Sequence, residues 1–285
     1  MEEKHSFLYN GTVFNRFPGS IAGKNRAFRL GDGFFETIRV KDGAIPYWSA
    51  HYSRIQLACK ALNLDIPYAC GKELFVKTLH DFIYQGGVRK GGVLRITFFR
   101  EGEGTYRPES NKLGYVAELR DTANNNFMLN DSGLRIGIYT DLKKSPGKFA
   151  PFKMMGMQVY IQASIWAQNN DYQDALILND HNQIIEGTSS NLFVVIDGTI
   201  HTPPIKHGCV AGIMRMVIIN TALKLGIPVY ESSLDEKDLL KANEVFLTNA
   251  TNGVRWVSGY REKRYFHNTS DKILAKLNEQ AKVLS

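Results

Sequence analysis

Lys153 follows a proline-containing loop and stands at the threshold of an apolar stretch. Partial burial there would favour the neutral amine, which is both a nucleophile and a base. The plainer alternative is a lysine pointing into water. A second stretch, Glu186-Gly187-Thr188-Ser189-Ser190-Asn191, sets a carboxylate and small polar residues between two apolar strands; its plainer alternative is an ordinary turn. A third, Gly208-Cys209-Val210-Ala211-Gly212-Ile213-Met214-Arg215, runs small residues straight into a helix. Unpaired backbone N–H groups and the positive end of the helix dipole make such a start a phosphate cradle. Taken singly, each is commonplace.

Together they meet the three demands of pyridoxal 5′-phosphate. The aldehyde needs an amine, the pyridine nitrogen needs an acidic partner to stay protonated, and the phosphate needs N–H donors and an arginine. No metal is called for. Beyond this set, the sequence resembles the class IV aminotransferases, the fold type IV pyridoxal enzymes. These include branched-chain aminotransferases, D-amino-acid aminotransferases and aminodeoxychorismate lyases. The stretches Glu186–Phe193, Thr202-Pro203-Pro204, Gly212–Arg215 and Glu244–Thr248 follow the family pattern in order and spacing, and the likeness runs from Asn10-Gly11 to Val254.

The resemblance implies a role for each matching position. Lys153 is the Schiff-base lysine and proton carrier, Glu186 the partner of the pyridine nitrogen, and Asn191 its neighbouring support. Arg54 matches the phosphate-binding arginine, and Ile213 and Met214 the N–H donors at the helix start. Ala250 and Thr251 match a second turn touching phosphate and substrate, and Arg95 an arginine kept near the substrate. One departure stands out. Branched-chain enzymes usually have a tyrosine four or five residues after the lysine, bonded to the ring hydroxyl. Met157 and Gln158 stand there instead, and the nearest tyrosine is Tyr160.

The run Gly31–Val40, followed by Ser49-Ala50-His51 and Arg54, resembles the lyases more closely, and the Gly- and Pro-containing stretch Arg100–Pro108 is closer to the lyases and the D-amino-acid enzymes. Thr37 is the sharpest discriminator, because branched-chain enzymes carry glycine there. A β-branched residue in a strand is also commonplace. The resemblance therefore implies, first, a 4-amino-4-deoxychorismate lyase of folate biosynthesis that releases 4-aminobenzoate and pyruvate, with Lys153 and Thr37 catalytic. A branched-chain or D-amino-acid aminotransferase is the alternative. A non-catalytic pyridoxal-binding protein comes last, because Lys153 and Glu186 are both present.

The elements that must position these residues read as α+β in two domains. Phe7–Tyr9 and Thr12–Phe14 about Asn10-Gly11 form a hairpin signal. A second hairpin is expected from 34–40 and 44–48 about Lys41-Asp42-Gly43. Helical spacing covers 50–62 and 72–85, and strand-like runs cover 93–99 and 113–118. The smaller domain is placed at 1–122 and the larger, cofactor-binding one at 133–285. Between them, 123–132 reads as a polar, Asn-rich linker with almost nothing to bury. The second region reads as strands 135–139, 175–178, 191–196, 228–231 (buried-looking) and 244–248, with helices at 154–168, 213–225 and 270–283.

Composition agrees with a globular enzyme: 44% hydrophobic and 22% charged over 285 residues. The formal charge of +7 is scattered rather than gathered in a stripe, which argues against nucleic acid and for attraction of small anions. Three cysteines at wide spacing suit neither a disulfide framework nor zinc. No secretory signal or membrane-length apolar run is apparent, so a cytoplasmic location is expected. The resemblance implies a homodimer acting on small amino or carboxylic acids.

Overall fold

A computed structural model describes residues 6–16, 25–122 and 124–280. They divide into two compact units. One gathers the described residues up to Asn126 together with Phe152–Gly156, and the other takes Phe127–Pro151 and continues from Met157.

The first unit is an antiparallel sheet covered on one face by two helices. Its strands are β1 (Phe7–Tyr9), β2 (Thr12–Phe14), β3 (Gly33–Val40), β4 (Gly91–Arg100) and β5 (Leu113–Thr122), in the order β2-β1-β5-β4-β3. The β1–β2 hairpin turns at Asn10 (φ 46°) and Gly11 (φ 91°), the two positive angles that an Asn-Gly pair tolerates. Alternation along the strands puts Phe34, Ile38, Leu94, Ile96, Phe98, Tyr115 and Ala117 on one face. Tyr52 and Ile55 of α2 (Trp48–Leu62) and Phe75 and Leu79 of α3 (Lys72–Gln85) cover it. A short helix, α1 (Arg26–Leu30), precedes β3.

The expected second hairpin does not form. After β3 the chain makes a single bridge, Lys41 to Ala44, and Trp48 already begins α2. Pro46 has no N–H to give a ladder, and β3 pairs instead with β4, from Gly33 opposite Phe99 to Val40 opposite Gly92.

Phe152–Gly156 belongs with this unit because it is bonded to β3. The Phe35 N–H donates to the Lys153 carbonyl (2.9 Å) and the Met155 N–H to the Gly33 carbonyl (3.1 Å), while Phe152 and Met154 pack against the core. Lys153 is thus not at a helix threshold as expected. The following helix, α4, spans Gln158–Asn169 and starts after Met157.

The second unit is built on β6 (Leu134–Tyr139), β7 (Asp174–Leu178), β8 (Ile184–Gly187), β9 (Asn191–Ile196), β10 (Thr199–Thr202), β11 (Val229–Glu231), β12 (Glu244–Asn249), β13 (Gly253–Tyr260) and β14 (Lys263–Arg264). The order is β11-β10-β9-β12-β13-β6-β7-β8, with β14 on β13. Because β8 also pairs β9 at Glu186 opposite Asn191, six strands close into a ring. Closure brings the ends of β8, β9 and β12 together. Its helices are α4, α5 (Ile213–Lys224), α6 (Glu236–Lys241) and α7 (Asn268–Gln280). Buried Glu244 caps α7 by accepting from the Thr269 and Ser270 N–H groups and the Thr269 hydroxyl.

Three further expectations are corrected. Strand β11 lies at the sheet edge with Tyr230 exposed, so the apolar look of 228–231 did not mean burial. The presumed linker does bury a side chain: Phe127 packs against Gly253, and its backbone exchanges two hydrogen bonds with the Asn278 side chain. The last helix begins two residues earlier than expected, and 281–283 lie outside the described residues. No helix among the described residues is long and apolar enough to cross a membrane.

Candidate active site

In the first unit, strand β3 sorts the candidate residues onto two faces. Glu36 falls in phase with Phe34 and Ile38, so its carboxylate is carried into the core side and is buried. A buried carboxylate needs partners, and α2 supplies two. Arg54 grips it as a fork, Nε to Oε1 and Nη2 to Oε2, both at 2.7 Å, and His51 Nδ1 lies 3.0 Å from Oε2. Burial by itself would raise the Glu36 pKa. The Arg54 charge, with the bonds from His51 and Arg54, outweighs it and holds the group at about 2. Burial lowers the His51 pKa against the opposing pull of Glu36, and the charges of Arg54 and Lys153 add to that lowering.

This triad has a pH consequence. The Glu36 pKa is depressed on folding, so its stabilisation is present above about pH 4.5 and is lost as pH falls toward 2. The full loss is about 3 kcal/mol. His51, also depressed, acts in the same sense from the ordinary histidine range downward. Denaturation of the cofactor-free protein across this window should show that slope. The Glu36→Gln protein, less stable near neutrality, should show a flatter one, and a parent-like acid slope in it would remove Glu36 from the account.

The opposite face of β3 carries Phe35 and Thr37. Arg95 on β4 is the cross-strand partner of Thr37, and its guanidinium lies 3.9 Å from the Phe35 ring centroid. The Lys153 Nζ lies 5.6 Å from the same ring. Thr37, Arg95 and Lys153 are therefore gathered around Phe35, whereas Arg54 sits with Glu36 on the core side.

In the second unit the focus is Glu186 on β8, 2% exposed. Its Oε1 accepts from Lys144 Nζ (2.8 Å) and from the Tyr160 hydroxyl (2.7 Å), and its Oε2 from the Val210 N–H (2.9 Å). Burial, then the Glu186 charge, pushes the Tyr160 pKa far up, so the phenol stays protonated and donates. Lys144 also donates to the Ala150 carbonyl (3.0 Å). A carboxylate offers about four acceptor positions. Three are filled, and the fourth is on Oε2. Cys209 nearby is a buried thiol pushed up to about 12, chiefly by burial, and is inert as a nucleophile.

Val210 also ties in Asn191, whose Nδ2 donates to its carbonyl (2.8 Å). The Asn191 amide lies so close to Gly212 that a Cβ there would meet its Oδ1 at 2.0 Å. Gly212 opens α5, and no side chain caps that helix, so the first-turn amides of Ile213 and Met214 lack a side-chain acceptor. Thr248 is the cross-strand partner of Asn191, and its Oγ1 is buried without a hydrogen-bond partner. Two residues on, Ala250 and Thr251 form a turn in which Asn249 Oδ1 accepts from the Thr251 and Asn252 N–H groups. The second unit thus brings together Glu186, Asn191 and the helix start, with Ala250 and Thr251 at the end of β12.

These features fit pyridoxal phosphate. One acceptor position left on a buried carboxylate suits a protonated ring nitrogen, and an uncapped helix start near an orphaned hydroxyl suits a phosphate. Glu36, His51, Lys144, Tyr160 and Thr248 were not singled out as site residues from sequence. Only Glu36 carries a local signal, a carboxylate in phase with core residues.

A family model described as amino-transferase class IV matches residues 33–260. An aminodeoxychorismate lyase of Vibrio harveyi is 27% identical over 238 residues, which are 82% of this chain and 85% of that one. A D-alanine aminotransferase of Listeria innocua is 27% identical over 256 residues, 86% of this chain and 83% of that one. The crystal structure of the branched-chain aminotransferase of Thermoproteus uzoniensis with norvaline superposes with a TM-score of 0.85 at 20% identity, over 97% of this chain and 93% of that one. The last likeness speaks for the α+β fold alone. The family match, spanning most of the chain, carries the assignment: this chain belongs to the class IV aminotransferases and is a pyridoxal-phosphate-dependent enzyme.

Proposed function

We propose that the enzyme is a 4-amino-4-deoxychorismate lyase, a cytoplasmic homodimer, with Lys153 and Thr37 as its catalytic residues. The observation that carries this reading is the position of Thr37, across the strand pair from Arg95 and beside the Phe35 ring that Lys153 approaches. When bound, the cofactor supplies a protonated ring that takes up electrons from the amino-bearing carbon. Lys153 carries it and removes the proton from that carbon. The substrate ring becomes aromatic as its C–O bond to the enolpyruvyl group breaks, and a proton returned to the enolpyruvyl CH2 completes pyruvate. The Thr37 hydroxyl assists that proton movement. Glu186, supported by Asn191, holds the ring nitrogen, while Ile213, Met214 and Thr251 hold the phosphate, joined by Arg54 through the part of its guanidinium outside the fork on Glu36. Arg95, Ala250 and Thr251 meet the substrate, Arg95 through a carboxylate.

A branched-chain or D-amino-acid aminotransferase would use the same cofactor contacts, so the test must separate chemistries. The loaded enzyme is given 4-amino-4-deoxychorismate, and separately L-leucine or D-alanine with 2-oxoglutarate. Release of 4-aminobenzoate and pyruvate is expected, and Thr37→Gly should depress it about tenfold or more while slowing half-transamination less. Efficient conversion of either amino acid with aminodeoxychorismate untouched, or full lyase activity in Thr37→Gly, would move a transaminase to first place.

A further inference from the structure

Lys144 has no role in the reading above, although it is 3% exposed and joined to Glu186 at 2.8 Å. A lysine in a Lys-Ser-Pro-Gly loop ordinarily points into water, and its neighbour Lys143 is exposed. The chain instead turns Lys144 inward. Its backbone N–H is fixed to the Leu178 carbonyl at the end of β7 (2.9 Å), and its Nζ is shared between Glu186 Oε1 and the Ala150 carbonyl. The Nζ also lies 5.3 Å from the ring of Tyr160, the second donor to Oε1. A buried ion pair adds little to stability compared with apolar packing and is better understood through what it positions.

We propose that Lys144 is a positioning residue for the cofactor ring, acting through Glu186. With Tyr160 it fills Oε1, so the one acceptor position left to the carboxylate is on Oε2, the oxygen already steadied by the Val210 N–H. Its ammonium also sets a positive charge against the buried Glu186 carboxylate. Without it the carboxylate would keep only the neutral donors Tyr160 and the Val210 N–H, and a buried charge left without its counter-charge is costly. A carboxylate so loosened is a poorer partner for a protonated ring nitrogen. Tyr160, a neutral donor, supplies direction without charge. The division of labour is that Glu186 meets the ring and Lys144 decides with which oxygen and against which counter-charge. The inference rests on the assignment of Glu186 to the ring nitrogen.

The test uses the full-length protein, first loaded with pyridoxal phosphate labelled with nitrogen-15 in the ring. The parent resonance is expected at the protonated position. Lys144→Met should move it toward the unprotonated one, and Lys144→Arg, which keeps the charge, should restore the parent position. Protection of the unloaded protein by inorganic phosphate should change less than about twofold in either variant, because other residues make that cradle. In the unloaded protein, Lys144→Met should lower the denaturant midpoint, and adding Glu186→Gln should recover much of the loss. That double variant and Lys144→Arg decide the matter even where Lys144→Met alone does not fold. An unmoved resonance in Lys144→Met, or a midpoint loss that Glu186→Gln does not relieve, would make Lys144 a packing residue and overturn the proposal. A parent resonance already at the unprotonated position would instead overturn the role of Glu186, a separate result.

Discussion

The Lys153→Ala enzyme is expected to lose at least about 10³-fold in turnover, ~4 kcal/mol of barrier, while keeping its fold. The two halves of that expectation have different origins. Structurally, what Phe152–Gly156 gives to β3 is backbone: the Lys153 carbonyl receives the Phe35 N–H, and Phe152 and Met154 do the packing. An alanine keeps all of this, so the cofactor-free thermal midpoint should move by no more than about 4 °C, the effect of ~1 kcal/mol in a chain of this size. Chemically, the side chain is asked, in the function proposed, to carry the cofactor and to move a proton. Lys144, nine residues earlier in the same loop region, is held by Glu186 and Ala150. Borohydride reduction of the parent should therefore fix cofactor on the peptide containing Lys153. Turnover of the alanine variant within about tenfold of the parent, or label recovered on Lys144, would remove Lys153 from the mechanism.

Why Lys153 was singled out from the sequence and Lys144 was not is a matter of range. The hairpin at Asn10-Gly11, the strands at 93–99 and 191–196 and the helix at 72–85 are set by local turn chemistry and periodicity, and the structure carries elements there. Glu186 and the α5 start are also local, a carboxylate and a glycine-opened helix in motifs that survive in one chain. The partners are not local. Lys144 meets Glu186 across 42 positions, and Arg54 meets Glu36 across 18. The side-by-side pairing of β6, β7 and β8 creates the first encounter, and the seating of α2 on β3 creates the second. Even the error at 44–48 has this character, because the true partner of β3 comes from β4, far along the chain. Strand β13, which completes the ring between β12 and β6, was missed because Gly253, Arg255, Ser258 and Gly259 break any clear alternation.

Glu186→Gln should keep the cofactor bound and slow proton removal by about 10²-fold or more, ~2.7 kcal/mol. The retained binding follows from the other anchors proposed, Lys153 and a phosphate cradle at Ile213 and Met214, none of which Glu186 forms. The slower step follows from charge, because a neutral amide does not hold the ring nitrogen protonated, and an unprotonated ring is a weaker electron sink. The amide is also wrong for its own neighbours. Three donors converge on Glu186, two on Oε1 and one on Oε2. An amide has one oxygen to offer, so either way round its NH2 faces at least one N–H, hydroxyl or ammonium donor. Buried Lys144 loses its counter-charge as well, an imbalance that costs about 3–5 kcal/mol where a buried pair is broken. The variant should therefore be both slower and less stable, and the rate must be read where denaturation curves show it folded. Single-turnover rates at saturating substrate, with affinity for pyridoxal phosphate measured separately, distinguish the outcomes. A rate within about threefold of the parent with only affinity reduced would make Glu186 a structural anchor, and the acid partner of the ring would have to be sought elsewhere.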